Sequence, residues 1–286
     1  MMKILITGAS GFVGSNLCQY FNEKGIDLIK INRKNGFDLS KRGWTNGIKT
    51  KNINTIIHMA QSNNHRDFEH KSKEIFDTNV SATQELLEWS RVNGVKRFIY
   101  TSSFNVYENK NKPRKEDSNL TTESFYGLTK LISEQLVSHY SIFFETLILR
   151  LNTVYGPKQS KALIPQMIQR LNNNEIIYLA KGEGVILSPI YVMDLSKIFL
   201  KLIQSKKKFD NEIINVAGNE VVSLEKIVKV LSDNLILKPK IKQTDNEIKY
   251  FISDSTKLRG FLNSSFSFTS IEKGLREVCD AYRRTY

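Results

Sequence analysis

The sequence predicts an α/β fold in which an open, doubly wound parallel sheet is followed by a smaller mixed α/β lobe. Short apolar runs alternate with segments of helical spacing over the first 160 residues, and this alternation loosens beyond about residue 156. The apolar runs are continuous, which is typical of parallel strands buried on both faces. The 286 residues are enough for one large domain or two smaller ones.

The first part of the chain contains five predicted strands and three predicted helices. The apolar runs place strands at residues 3–7, 27–32, 55–60, 96–102 and 145–151. Apolar residues at helical spacing place helices at residues 12–24, 73–92 and 125–140. Because strands and helices alternate, right-handed crossovers are expected to build one mostly parallel sheet.

The second part of the chain has weaker periodicity and predicts a mixed lobe. Helices are expected at residues 162–172, 193–204, 223–234 and 270–283. Short strands are expected at residues 175–180, 185–190 and 211–216, and some of them are expected to extend the first sheet.

The charge of the chain is the least ordinary part of its composition. There are 42 Lys and Arg against 29 Asp and Glu, a formal net charge of +13. Such an excess suits an anionic partner. It is spread along the chain, and no aromatic-and-basic signature of RNA binding accompanies it. No apolar run approaches the roughly 20 residues of a membrane span. We therefore expect small anionic ligands, and no nucleic-acid or membrane partner.

The cysteines and the N-terminus favour a cytoplasmic protein. Cys18 and Cys279 are too few for a disulfide framework. The first strand follows Lys3 at once, without the longer apolar stretch of a signal peptide. No histidine or second cysteine lies near either cysteine at metal-ligand spacing, so no metal site is predicted.

A glycine-rich turn joins the first strand to the first helix. Gly8, Gly11 and Gly14 are spaced for a tight turn, close backbone approach to a diphosphate and close helix–strand packing. The free N–H groups of the helix start favour phosphate. The turn predicts a Rossmann-type dinucleotide site with contacts from Gly8, Ser10, Gly11, Phe12, Val13 and Gly14. A packing turn without a ligand is the alternative.

The end of the second strand bears on the choice of cofactor. NAD-binding folds usually carry an acidic residue there for the ribose 2′-hydroxyl. This chain has Asn32, Arg33 and Lys34, and the two cations suit a 2′-phosphate. This favours NADP(H) over NAD(H), with a solvated basic loop as the alternative. Asp38, followed by Leu39, is placed to accept from the adenine amino group or to cap a turn.

Three residues form the predicted catalytic group. Ser103 ends a strand, and Tyr126 and Lys130 are four residues apart in a helix and therefore share a face. A phenol is a poor base at neutral pH, and a nearby ammonium is expected to lower its pKa. Tyr126 would then exchange a proton with a hydroxyl or carbonyl oxygen, and Ser103 would hydrogen-bond the same oxygen.

Motifs in order along nearly the whole chain carry a family resemblance. They are Gly8…Gly11…Gly14, Asp38-Leu39, His58-Met59-Ala60, Asn79-Val80, Thr101-Ser102-Ser103 with Val106-Tyr107, Tyr126…Lys130, the stretches 150–157 and 190–195, and Asp254…Lys257-Leu258…Gly260-Phe261. With these motifs the chain resembles the extended short-chain dehydrogenases/reductases, the nucleotide-sugar epimerase/dehydratase/reductase family.

The resemblance implies a division of the chain and a set of site residues. Residues 1–157 would form the NAD(P)-binding Rossmann domain, and residues 158–286 the lobe for a nucleoside-diphosphate sugar. Further cofactor contacts would come from His58, Met59, Ala60, Asn79, Thr101, Tyr126, Lys130 and Val154. For His58 and Asn79, core packing and helix hydrogen bonding are equal alternatives. Substrate contacts would come from Ser103, Phe104, Asn105, Tyr126 and Asn152. A homodimer would form through a four-helix bundle of residues 73–92 and 125–140.

Two departures from the family pattern bear on the reaction. Leu187-Ser188 occupy positions where the family often has Arg-Asp, whose arginine holds the substrate diphosphate. Phe104-Asn105 follow the catalytic serine where the 4,6-dehydratases carry Asp-Glu, so acid-driven elimination of water is not expected.

Two reactions fit the remaining pattern. The basic residues after the second strand favour a reductase that consumes NADPH to reduce a 4-keto sugar in deoxysugar or surface-polysaccharide biosynthesis. The alternative is a 4-epimerase with tightly bound NAD. A regulatory protein that binds the cofactor without turnover is disfavoured by the intact Tyr126 and Lys130.

Overall fold

The apolar runs of the first half form a parallel sheet. In the computed structural model, which describes residues 3–262 and 264–284, the strands are β1 (Lys3–Thr7), β2 (Asp27–Ile31), β3 (Thr55–His58), β4 (Arg97–Ser103) and β5 (Glu145–Leu151). They lie in the order β2-β1-β3-β4-β5, and each of these neighbouring pairs is parallel. Every residue of β3 is buried, which explains why its sequence shows no alternation. The predicted fold class is confirmed.

One strand from late in the chain completes this sheet. β10 (Glu212–Val216) lies at its edge beside β5, giving six strands. Apolar side chains of the sheet and its helices, such as Leu5, Ile56, Leu86 and Phe98, are fully buried in a common core.

The helices around this sheet differ from the prediction at one place. They are α1 (Phe12–Glu23), α2 (Phe68–Phe76), α3 (Ala82–Val92) and α4 (Phe125–His139). The single helix predicted at residues 73–92 begins earlier, at Phe68, and a π turn over Asp77–Ser81 separates α2 from α3. Apolar spacing cannot detect a π turn, because one extra residue per turn only shifts the buried stripe sideways.

The second half of the chain forms small sheets and further helices. The helices are α5 (Leu163–Asn172), α6 (Val192–Gln204), α7 (Leu224–Leu235), α8 (Thr256–Arg259) and α9 (Ile271–Arg283). The remaining strands are β6 (Val154–Tyr155), β7 (Ile176–Ala180), β8 (Ile186–Leu187), β9 (Ile190–Tyr191), β11 (Val222–Ser223), β12 (Lys240–Thr244) and β13 (Tyr250–Phe251). β8 pairs with β11 and β13, β7 pairs with β12, and β6 pairs with β9.

Several strands of this half differ from the prediction. The run predicted at residues 185–190 divides into β8 and β9 around Pro189, which has no N–H to donate to a ladder. β12 escaped prediction because none of its five residues is buried, so it has no apolar signal, yet it pairs in parallel with β7 over its full length.

The described residues form two compact units. The first comprises residues 3–108, 116–151 and 200–214, and the second comprises residues 109–115, 152–199, 215–262 and 264–284. The functional division at residue 157 into a cofactor domain and a substrate lobe remains a prediction. None of the helices in residues 3–262 and 264–284 is both long and apolar enough to cross a membrane.

Candidate active site

The glycine turn after β1 leaves no room for other side chains. Gly8 has φ +70°, and a Cβ on it would lie 2.9 Å from the backbone nitrogen of Ala60. A Cβ on Gly14 would lie 2.2 Å from the carbonyl oxygen of Gly8. The turn is closed by Gly11, whose N–H donates to the Gly8 carbonyl at 3.0 Å. Glycine at these places therefore permits both the turn and the close packing of α1 on it.

The start of α1 fits the diphosphate of a dinucleotide. Gly11 is the N-cap, and within the described part of the chain no side chain caps the first N–H groups of the helix. No acidic residue lies in its first turn. Uncapped donors and the positive end of the helix dipole attract phosphate oxygens. The predicted contacts Ser10, Phe12 and Val13 are partly or fully exposed around this point.

The residues after β2 lie beside the same turn. Thr7 pairs with Ile31 in the register of β1 and β2, so both strands end at one level. Asn32 caps a 3₁₀ turn over Arg33–Asn35 by accepting from the N–H of Asn35 at 3.1 Å. Arg33 is not a free cation, because its Nη2 lies 3.9 Å from Oε1 of Glu74 on α2.

Asp38 and Leu39 both make contacts within the protein. Asp38 Oδ1 accepts from the N–H and the hydroxyl of Ser40, at 3.2 and 2.7 Å, and these hydrogen bonds lower the pKa of Asp38. This is the turn-capping alternative. Leu39 is buried in the core of the first unit. Contact of either residue with adenine remains a prediction.

A buried hydrogen-bond chain fixes the segment after β3. Nδ1 of His58 is 2.6 Å from the hydroxyl of Thr7, and Nε2 is 2.8 Å from the hydroxyl of Thr83. Burial lowers the pKa of His58 to about 3, so the ring is neutral. The Thr7 hydroxyl also accepts from the N–H groups of Met59 and Ala60, both at 3.2 Å. Thr7, which the sequence analysis did not single out, therefore shapes the loop that faces the glycine turn.

The π turn holds Asn79 in a similar supporting position. Asn79 is buried; its Oδ1 accepts from the N–H of Ser62 at 2.8 Å, and its Nδ2 donates to the hydroxyl of Thr129 at 2.9 Å. Asn79 thus connects the loop after β3 to α4. Hydrogen bonding within the protein was the alternative to cofactor contact for this residue, and π turns occur frequently at functional sites.

Ser103, Tyr126 and Lys130 are brought together in the first unit. Lys130 is buried, and its Nζ donates to the carbonyl oxygen of Thr101 at 2.8 Å. Nζ also lies 5.8 Å from the ring centre of Tyr126. Ser103 is near enough to the phenol of Tyr126 to lower its pKa. The Thr101 hydroxyl donates to the carbonyl of His58 at 3.1 Å, which ties β4 to β3 at this edge.

The pKa values of the pair differ from the expectation. Burial raises the pKa of Tyr126 to about 12, against opposing effects of the Ser103 hydrogen bond and the charge of Arg66. Burial also lowers the pKa of Lys130 to about 7, against the opposing charge of Glu134. The expected lowering of the tyrosine pKa by the ammonium is therefore not seen, because burial is the largest influence and raises that pKa.

The loop after β3 contacts Tyr126 directly. The Tyr126 hydroxyl donates to Oε1 of Gln61 at 2.9 Å, and the ring of His65 lies 4.9 Å from the Tyr126 ring, centre to centre. Sequence reasoning missed both residues. Gln61 follows His58-Met59-Ala60 at the carboxyl end of a parallel strand, which is where ligands bind in such sheets, and that position was the available signal.

A glycine in α4 sets the distance between Tyr126 and the segment after β4. A Cβ on Gly127 would lie 2.4 Å from the carbonyl oxygen of Asn105. The start of α4 therefore packs closely against the 3₁₀ turn formed by Phe104–Val106. Phe104 is buried and Asn105 is half-buried, so the two predicted substrate contacts differ in exposure.

Behind Lys130 lies a buried ion pair. Glu134 is one helical turn further along α4, and Arg150 of β5 donates to both of its carboxylate oxygens. Arg150 also donates to the hydroxyl of Tyr107 at 2.8 Å. The side chains of Arg150 and Glu134 are 2% and 1% exposed, so each charge depends on the other for compensation.

Asn152 and Val154 belong to the second unit. Nδ2 of Asn152 donates to the carbonyl of Phe251 at 2.9 Å and to the hydroxyl of Ser253 at 3.0 Å. Val154 begins β6. Leu187 and Ser188, which replace the usual Arg-Asp, are both buried in this unit. Cofactor contact by Val154 and substrate contact by Asn152 remain predictions. No group of three or more His, Cys, Asp or Glu able to hold a metal ion occurs in the described ranges.

A parallel sheet with a glycine-rich turn, an uncapped first helix and an adjoining Ser, Tyr and Lys defines a dinucleotide-dependent oxidoreductase type of site. Residues 4–217 match the model of the NAD dependent epimerase/dehydratase family. The chain belongs to this family, whose members are enzymes, and the resemblance drawn from the sequence is confirmed.

Individual relatives are named for different reactions. The chain is 28% identical to the uncharacterized UDP-glucose epimerase YtcB of Bacillus subtilis (strain 168) over 260 residues, 81% of this chain and 82% of the relative. It is 26% identical to the dTDP-4-dehydro-6-deoxyglucose reductase of Escherichia coli over 263 residues, 81% of each. It matches the structure of UDP-glucuronic acid 4-epimerase from Bacillus cereus in complex with NAD with a TM-score of 0.82 and 25% identity, covering 100% of this chain and 97% of that one.

Proposed function

We propose that this chain is an NAD(P)-dependent enzyme that inverts or reduces one carbon of a nucleoside-diphosphate sugar, with 4-epimerisation as the leading reaction. The observation that carries the proposal is the grouping of Ser103, Tyr126 and Lys130 in the first unit, which also holds the glycine turn. Epimerisation and reduction use the same three side chains. Epimerisation leads because epimerases are prominent among both the relatives and the structural neighbours.

Each of the three side chains has a distinct task. Tyr126 exchanges a proton with the reacting oxygen of the sugar, and Ser103 hydrogen-bonds that oxygen. Lys130 is held by the Thr101 carbonyl close to the tyrosine ring, where the protonated ammonium would counteract the effect of burial on the phenolate. When bound, the nicotinamide supplies the site that accepts and returns hydride.

The protonated state of Tyr126 supports a second candidate, the 4-keto reductase. Because the pKa of Tyr126 is raised to about 12, its phenol is protonated at neutral pH. A protonated phenol can donate its proton to a carbonyl oxygen. A role as base requires this pKa to fall when ligand fills the site. Relatives named as an epimerase and as a reductase are both similar to this chain. The site residues by themselves therefore do not distinguish epimerisation from reduction.

The finer choice of cofactor belongs to this proposal as well. Arg33 and Lys34 after β2, with Asn32 in place of an acidic residue, support a preference for NADP(H). The experiment is a fluorescence titration of NADPH and NADH. At least tenfold tighter binding of NADPH, weakened by Arg33→Asp, is expected, and equal dissociation constants would refute the preference.

One experiment separates the two reactions. Nucleotide that co-purifies with the protein is identified by mass spectrometry, and the protein is then incubated with UDP-glucose or UDP-glucuronic acid without added cofactor. A 4-epimerase yields the C4 epimer, detected by NMR, and retains its nicotinamide dinucleotide. A 4-ketoreductase yields no epimer and consumes NADPH when given a nucleoside-diphosphate 4-keto-6-deoxy sugar. Absence of both activities would refute the proposal.

We propose in addition that two copies pair through α2, α3 and α4. Large apolar side chains are exposed on this part of the first unit, including Phe68 at 51% and Leu128 at 41%. Helices that hide such side chains against a second copy would form the predicted four-helix bundle. Sedimentation of wild-type protein and Leu128→Arg tests this: the wild type is expected to be a dimer and the variant a monomer.

A further inference from the structure

Glu74 of α2 places a carboxylate near the end of β2, where the chain itself has no acidic residue. Glu74 Oε1 lies 3.9 Å from Nη2 of Arg33, the residue that follows Asn32 after β2. In dinucleotide-binding folds the acidic residue of this region comes from the strand end itself. Here the residue after the strand is the cation Arg33. The negative charge belongs to Glu74 of α2, more than forty positions later in the sequence.

Glu74 is held in place from the side opposite Arg33. Its two carboxylate oxygens accept from the hydroxyl of Ser62 at 2.7 Å and from Nδ2 of Asn64 at 2.6 Å. Ser62 is itself buried and fixed by the Asn79 side chain at 2.8 Å. The carboxylate is therefore anchored to the loop after β3 and does not swing away from Arg33 as a free surface glutamate would.

The anchored group is negatively charged at neutral pH. Burial by itself would raise the pKa of Glu74, but hydrogen bonds from Asn64 and Ser62 and the charge of Arg33 outweigh burial and lower it. A phosphate that binds the Arg33 guanidinium must therefore share it with an ionised carboxylate about 4 Å away. A ribose hydroxyl meets no such repulsion and can donate to an acidic group.

We propose that Glu74 is a cofactor-specificity residue that opposes binding of the 2′-phosphate of NADP(H) at Arg33. The inference rests on the proposed function, because it requires a nicotinamide dinucleotide whose diphosphate lies on the turn from Gly8 to Gly14. Thr7 and Ile31 pair across β1 and β2, so the residues after β2 adjoin that turn. Whatever preference Arg33 and Lys34 create for NADP(H), Glu74 reduces it.

The test compares dissociation constants of NADPH and NADH for wild type and Glu74→Gln. Glutamine keeps the size of the side chain and removes the charge. Its amide oxygen can accept one of the two hydrogen bonds, from Ser62 or from Asn64, and its NH₂ group cannot accept the other. We expect NADPH to bind about five- to tenfold more tightly in the variant, with NADH changed less than twofold, the size expected for one partly screened charge. The gain should shrink in 0.5 M NaCl.

Three further variants make the result specific. Glu69→Gln makes the same charge change on the same helix and is expected to leave the NADPH-to-NADH ratio unaltered. Glu74→Asp keeps the charge and is expected to stay near the wild-type ratio. In Arg33→Ala, the additional Glu74→Gln substitution is expected to have little effect, because the carboxylate acts through the guanidinium.

The outcomes separate this inference from the proposed function. If wild type binds both dinucleotides and Glu74→Gln leaves their ratio within twofold of wild type, the role of Glu74 is overturned and the proposed function stands. An equal gain in Glu69→Gln would also overturn it, because the effect would then come from net charge. If wild type binds neither dinucleotide, both proposals fail.

Discussion

The phenol hydroxyl of Tyr126 donates a hydrogen bond to the side-chain oxygen of Gln61, 2.9 Å away. A reacting oxygen of the substrate would need this same hydroxyl. Gln61 therefore competes with the substrate for this hydroxyl and stabilises the protonated form of the phenol. An acceptor that hydrogen-bonds the neutral form raises a pKa, and its effect adds to that of burial.

The first prediction concerns this contact. In Gln61→Ala, we expect the acidic limb of the pH profile of kcat/KM to move down by about half to one pH unit, the equivalent of about one hydrogen bond. The profile of initial rates against pH measures it. Gln19→Ala, on the exposed part of α1, is the control. An unmoved limb in Gln61→Ala would mean that the contact does not tune Tyr126.

The second prediction concerns Tyr126 as the acid or base. Tyr126→Phe is expected to bind the dinucleotide as wild type does and to lose about 10²- to 10⁴-fold in kcat, because the proton exchange is removed while the surrounding packing is kept. Single-turnover kinetics and dinucleotide titration measure the two effects. Tyr20→Phe on α1 should be fully active. Wild-type kcat in Tyr126→Phe would exclude the assigned role.

The third prediction follows from the low pKa of Lys130. Burial lowers it from 10.5 to about 7 in the folded protein. Between these pH values the unfolded chain holds a proton that the folded chain lacks, so the free energy of unfolding gains a contribution as the pH rises from about 7 to 10.5. That contribution is present above pH 10.5 and is lost as the pH falls through 7.

Urea unfolding of wild type and Lys130→Met across this range measures the contribution. We expect the unfolding free energy of wild type, minus that of Lys130→Met, to increase as the pH rises from about 7 to 10.5. Lys229→Met, which removes an exposed lysine of α7, should give a flat difference. A flat difference for Lys130→Met as well would show that Lys130 titrates in its ordinary range.

The fourth prediction concerns the ion pair behind Lys130. Glu134→Gln is expected to cost about 3–5 kcal/mol of unfolding free energy, because the buried Arg150 loses its compensating charge. Glu247→Gln removes one partner of an exposed pair with Lys181 and should cost less than about 1 kcal/mol. Denaturant unfolding compares them. Equal costs would contradict the assigned burial of the pair.

Sequence reasoning was most accurate where one physical constraint acts alone. The strand at Lys3–Thr7 and the strand at Glu145–Leu151 were predicted to the residue because buried parallel strands must be continuously apolar. The glycine turn was recognisable because steric exclusion at Gly8 and Gly14 admits no other residue. Tyr126 and Lys130 were found because helical geometry puts residues four apart on one face.

Sequence reasoning failed where distant segments meet. Gln61 and Glu74 have no local pattern, and their roles arise only when the loop after β3 folds over α4 and α2 approaches β2. The pKa of Tyr126 was predicted in the wrong direction because spacing reports proximity to Lys130 but not the desolvation of both groups. The contact between Arg33 and Glu74 likewise has no local pattern, because the two residues are more than forty positions apart in the sequence.

The π turn between α2 and α3 gives this segment room to change length by one residue. An α-helix advances by about 100° per residue, and a π turn accommodates one surplus residue in a single wider turn. Losing one residue from Asp77–Ser81 would therefore restore ordinary α-helical winding and leave α2 and α3 facing nearly the same way. Glu74 could still meet Ser62 while Leu86 stays in the core. The same deletion inside α3 would instead turn the residues on either side of it by about 100° relative to each other.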